Sequence, residues 1–362
     1  MRAADALAKV LTLHPDVATV EHWDMLKYTN RVFRHLYSRI YLDLVNKIPA
    51  MLGWFYDLSD TPYHNDDMRI VFEKLNASRL VRALKEFAPD HIICTHFTPA
   101  AIVSWLNERG TINQRPAIVV TDFDCHAMWF VRNYERYFVA LPETKVYMER
   151  VGLDPNKIEV TGIPVDPVFE SPKDCNATRR ALSLAEDRFT ILVSAGGFGV
   201  GPVENLIQEL LRISLPVQIV AIAGRSEELK AKLDALAAKM QRSGENHQPT
   251  LHCVGFTTQM DEYMATADIL VGKSGGLTTS EALARGLPLC IVNPIPGQEE
   301  RNSDHLLEAG AAIRCNNLPT LAWKLEQLIT HPERMIKLRE EARRLGQPFA
   351  ARRIVKRVVG AF

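Results

Sequence analysis

The chain has 362 residues, 47% of them apolar and 24% charged, a globular composition rather than a disordered or collagen-like one. At roughly 100–200 residues per domain, the length suits two domains. Lys plus Arg and Asp plus Glu each total 43; this balance argues against a nucleic acid backbone as main partner, so any basic surface is local.

The six cysteines are scattered, with no C-x-x-C pair, which fits a reducing compartment such as the cytoplasm. Cys94 and Cys290 sit in apolar runs and read as small core residues. No apolar run approaches the ~20 residues of a spanning helix, so the chain is expected to be soluble or peripheral.

In chain order, MRAADALAKVL opens as a helix, where an α/β chain would normally open with a strand. Strands are expected at VATVEHW (from Val17), HIICTHF (from His91), AIVVTDF (from Ala117), YFVAL (from Tyr137) and IEVTG (from Ile158). Five more follow: FTILVSAGG (from Phe189), VQIVAIAG (from Val217), TLHCVGF (from Thr250), ADILVGKSGG (from Ala267) and PLCIVNP (from Pro288). Helical text separates them, the pattern of parallel sheets covered on both faces. Gly162 to Cys175 is proline-rich, lacks apolar periodicity and reads as a linker. The expectation is α/β, two Rossmann-like domains in series: residues 1–166, residues 167–345, and a C-terminal helix, 346–362, crossing back to the first domain. Such a pair places a ligand cleft at the strand ends.

Several loops there carry chemistry. After a strand ending at Val271 comes Gly272-Lys273-Ser274-Gly275-Gly276, then a helix with Thr278 in its first turn. Glycines with free N–H groups at a positive helix end suit a diphosphate. Glu281, one turn on, suits two ribose hydroxyls, although Glu is more often simply solvated. Gln298 and Glu299, with Asn302 after them, suit sugar hydroxyls. Gly196 and Gly197 form a second glycine-rich turn, but no acidic residue ends the next strand, which disfavours NAD.

In the first half, Asp122 and Asp124 form a D-x-D pair, with too few ligands nearby for a metal shell. No metal or other cofactor is expected. His96 and His126 fall in cleft-facing loops, where imidazole titrates near neutral pH. From Leu26 to Tyr56, Phe33, Tyr37 and Tyr41 recur at helical spacing with Ile40 and Leu44, and basic residues occupy other faces, before Trp54 and Phe55. An anionic lipid surface would accept that pattern, and so would an ordinary core-facing helix.

TDFDCHAMW, VTGIPVDPVF, SAGGFGVGP, Gly255-Phe256, KSGGLTTSEALARGLP and PGQEERN occur in this order. With them the chain resembles the monogalactosyldiacylglycerol synthase family, which includes processive diacylglycerol glucosyltransferases and is related to the GlcNAc transferase of peptidoglycan synthesis. The resemblance implies a GT-B fold facing across a cleft, and an inverting, metal-independent transfer of a hexose from a UDP-sugar to diacylglycerol, with galactose favoured over glucose. It implies a peripheral location on the inner face of the cell membrane. Phe256 would pack near uracil, Gly275, Gly276 and Thr278 near the diphosphate, Glu281 at the ribose, and Gln298 and Glu299 at the hexose. His126 would line the acceptor side, with Asp122 and Trp129. Members of the family begin with a strand and a G-H-x-R-A-A loop whose His is placed as the base; this chain starts at Met1-Arg2-Ala3-Ala4, so that strand, loop and His are expected to be absent. A non-catalytic relative that binds UDP-sugar or membrane, and a soluble UDP-sugar epimerase of the same fold, are the alternative readings.

Overall fold

Ala117, Ile118, Val119 and Val120 are all fully buried, as the continuous apolar run of a central parallel strand requires. Alternate residues face opposite ways. Ala117 and Val119 pack with Leu7, Val10, Ile354 and Val355, whereas Ile118 and Val120 pack with Ile102, Leu106 and Met148. Each large side chain buried this way stabilises the fold by about 1.5–3 kcal/mol.

The computed structural model describes residues 1–28, 53, 54, 56, 58–62, 78–194, 203–243 and 249–361. Helix α1 (Arg2–Thr12) and α2 (Ser78–Phe87) precede β1 (Ile92–Cys94), α3 (Phe97–Glu108), β2 (Pro116–Val119), β3 (Arg136–Val139), α4 (Pro142–Arg150) and β4 (Ile158–Val160). The four strands form one parallel sheet in the order β1-β2-β3-β4. After the linker, which holds only a short 3-10 turn at Pro167–Glu170, comes α5 (Cys175–Ala181).

The second sheet has six parallel strands: β5 (Phe189–Ser194), β6 (Val217–Ile222), β7 (Thr250–Val254), β8 (Ile269–Gly272), β9 (Leu289–Val292) and β10 (Ala312–Cys315). Their order is β10-β9-β8-β5-β6-β7. Helices α6 (Val203–Leu210), α7 (Glu227–Ser243), α8 (Met260–Thr266), α9 (Gly276–Ala284) and α10 (Gln298–Glu308) connect them. Helices α11 (Leu321–Ile329), α12 (Pro332–Leu345) and α13 (Ala350–Val358) follow. Ala351, Ile354 and Val355 of α13 return to the first sheet beside α1.

Two sequence expectations are corrected. VATVEHW forms no strand: Val17 and Val20 are only partly buried and residues 17–24 carry no regular structure, since β-branched residues hold a strand only when a neighbour takes up their ladder groups. Conversely, β10 pairs with β9 although Arg314 interrupts its apolar text; its short edge position tolerates the charge. No helix among the described residues is long and apolar enough to cross a membrane.

Candidate active site

The strand-end loops of the two sheets meet along one seam. Helix α9 begins at Gly276 with Gly275 as its N-cap, so its free N–H groups face that seam. A Cβ at Gly276 would stand 2.1 Å from the Thr121 carbonyl oxygen and 3.3 Å from an Asp122 carboxylate oxygen. Glycine is therefore what lets the loop after β2 lie directly on the helix end.

The residues expected at a donor converge here, and residues of the first half already engage them. Glu281 is nearly buried, and both its oxygens accept from the Arg2 guanidinium, at 2.9 and 2.7 Å. The other Arg2 Nη donates to Thr278 Oγ1 at 3.0 Å. Burial raises the Glu281 pKa and Arg2 opposes that rise. Gln298 Nε2 donates to Asp122 Oδ1 at 2.5 Å. Asn302, fully buried, accepts from the Phe123 N–H at 2.9 Å and donates to the Ser274 carbonyl at 3.1 Å, tying the two halves together. Ser274 Oγ donates to the Glu299 carbonyl at 2.6 Å, and Glu299 Oε2 accepts from the Ile295 N–H at 2.7 Å.

Asp122 is 6% exposed, and burial, only partly offset by the hydrogen bonds from Gln298 and Asn302, pushes its carboxyl up to about 6. It lies in the seam against Gln298 and Asn302, among the residues expected at the hexose. Phe256, 61% exposed, presents its ring at the end of β7 with the Arg225 guanidinium 4.9 Å above it.

The expected catalytic and acceptor residues of the first half fare differently. His126 is buried, its Nε2 bonds the Tyr56 carbonyl at 2.8 Å and its Nδ1 accepts from the Met128 N–H at 3.1 Å. With both nitrogens engaged, it caps the turn Ala127–Trp129 and pins Tyr56, in place of the expected acceptor role. His96 caps α3 through Nδ1, which accepts from the Thr98 N–H at 3.2 Å. Its ring packs beside Phe97 and Trp129 while remaining solvent-exposed. Trp129 is 3% exposed and packs in the first core with Phe97, so it is a core residue rather than an acceptor contact. Trp54 is 60% exposed. Gly196, Gly197, Phe33, Tyr37, Tyr41 and Phe55 lie outside the described residues.

Sequence reading missed Arg2, Arg225 and a knot centred on Arg301. Arg301 bridges Asp60 at 2.6 Å and Asp124 at 3.0 Å and lies 5.1 Å from the centre of the Tyr56 ring. Tyr56 in turn packs on Gly297, whose φ of +87° and missing Cβ make that approach possible. A cavity of about 400 Å³ opens beside this knot, lined by Asp60, Asp124, Tyr147, Arg301 and Glu308 among others. It contains neither Glu281 nor the glycines of α9, and the convergence of those residues outweighs cavity size in locating the site. Among the described residues no three His, Cys, Asp or Glu side chains gather as metal ligands.

Comparison with known proteins agrees with this two-domain fold. The family described as monogalactosyldiacylglycerol (MGDG) synthase matches residues 1–165, and glycosyl transferases group 1 matches residues 176–345. Among solved structures, MurG of Acinetobacter baumannii superposes with a TM-score of 0.58 at 18% identity, covering 79% of this chain and 80% of that one. A UDP-N-acetylglucosamine 2-epimerase gives 0.57 at 16%, covering 99% and 93%. These likenesses fix the fold as GT-B. A processive diacylglycerol beta-glucosyltransferase of Staphylococcus aureus is 33% identical over 299 residues, 82% of this chain and 68% of that protein. The chain is thus a glycosyltransferase belonging to the family of monogalactosyldiacylglycerol synthases and processive diacylglycerol glucosyltransferases.

Proposed function

We propose that the protein transfers a hexose from a UDP-sugar to the hydroxyl of diacylglycerol with inversion, without a bound metal, at a membrane surface. The observation that carries this reading is the meeting of Glu281, Thr278, Gln298 and Asn302 around the α9 N-terminus. That arrangement offers a carboxylate for a ribose, a positive helix end for the departing diphosphate and the Gln298 amide for hexose hydroxyls, with Asn302 holding the seam beneath them. In the reaction the lipid hydroxyl oxygen bonds to the anomeric carbon, the bond from that carbon to the phosphate oxygen breaks with its electron pair leaving on UDP, and a base takes the hydroxyl proton. Such assistance supplies roughly 10²–10⁴-fold.

The relative matched over most of the chain is named for glucose, whereas the family matching the first half is named for galactose, the hexose expected from the sequence. Both donors therefore belong in the test. With diacylglycerol vesicles, UDP-glucose or UDP-galactose should yield glycolipid and free UDP, and without lipid neither should be consumed. Conversion of a UDP-sugar without acceptor would establish an epimerase instead. Binding without turnover in both arms would establish a non-catalytic relative.

A further inference from the structure

We infer that Arg2 is a donor-binding residue that exchanges partners: paired with Glu281 and Thr278 in the structure, it swings to the diphosphate when UDP arrives. The inference rests on the donor reading above and adds to it a cation supplied by the opposite domain.

The guanidinium lies between the two positions a nucleoside diphosphate must bridge. Its Nη1 holds both Glu281 oxygens at 2.9 and 2.7 Å, and its Nη2 reaches Thr278 Oγ1 at 3.0 Å. Glu281 belongs to the ribose and Thr278 to the first turn of the phosphate-binding helix. Ribose hydroxyls and Arg2 compete for the same two carboxylate oxygens. When the ribose takes them, the guanidinium loses its anionic partner while remaining one helical turn from an incoming diphosphate.

Arginine suits this exchange because its planar fork matches carboxylate and phosphate alike and is always charged. The side chain is 52% exposed, so the surroundings leave it free to turn. Until then it serves Glu281: burial raises the carboxyl's pKa, and the neighbouring cation opposes that rise, favouring the ionised form that accepts two hydroxyls. Asp166, the other charged group acting on Glu281, is itself paired with Lys9, leaving Arg2 as the cation in direct contact with the ribose carboxylate.

Calorimetric titration of the full chain with UDP and with uridine tests the exchange. Arg2→Met should weaken UDP about 10–100-fold, the worth of a charged hydrogen-bonded contact, and leave uridine within about twofold or slightly tighter. Arg2→Lys should restore part of the UDP affinity as a point charge. If Arg2→Met binds UDP as tightly as wild type or tighter, Arg2 is only a latch and the inference fails. Equal losses for UDP and uridine would also overturn it, by showing that Arg2 merely holds Glu281. Glu281→Ala separates this from the underlying reading: it should weaken both ligands, and a Glu281→Ala protein with wild-type affinity for both would remove the donor site from this seam whatever Arg2 does.

Discussion

The two halves reach the seam by different means. The second half presents its candidate donor residues after β8 and β9, each a few residues from a fully buried strand. The first half contributes Arg2, Asp122 and Asp60, whose partners lie 279, 176 and 241 positions away along the chain. A site built from local turns can be read from adjacent letters. One built from contacts across a domain seam has no spacing to read.

The contrast is sharpest at Gly276, where one half presses on the other. Gly276→Ala would put a methyl against the Thr121 carbonyl, a backbone atom that cannot rotate away. We expect this substitution to have the largest effect: a loss of about 1–3 kcal/mol from overpacking, read by denaturant unfolding, together with loss of most transfer activity because the halves no longer close. Wild-type activity in that variant would mean that catalysis does not need this approach.

A smaller effect is expected from titrating the seam. Because burial raises the Asp122 carboxyl to about 6 in the folded chain, the protonated form contributes stability that is present below about pH 4 and is lost as pH rises through about 6. Asp122→Asn should flatten that part of the stability profile, by up to about 3 kcal/mol. Urea midpoints of both proteins across this window measure it, and parallel profiles would show that Asp122 is not desolvated in solution.

Much of the fold was legible. Nine of the ten strands expected from β-branched runs are present, because a parallel strand buried on both faces needs consecutive apolar residues. VATVEHW misled because propensity without a pairing neighbour makes no strand, and β10 was overlooked because a four-residue edge strand with a charge in it looks like loop. At the seam, the strand-end glycine turns were legible as the place where Glu281, Gln298 and Asn302 gather; their roles there are what the titrations test. His126 and Trp129 were misjudged because an imidazole satisfied by two backbone groups, and an indole inside a core, carry the same letters as catalytic and acceptor residues.

Titrating UDP into the wild-type chain and into Glu281→Ala asks whether the α9 turn of the second half holds the UDP-sugar. Saturable binding to the wild type is expected, with at least about tenfold weaker binding to the variant from the loss of charge-assisted hydrogen bonds to the ribose. Equal affinity in the two proteins would contradict that placement.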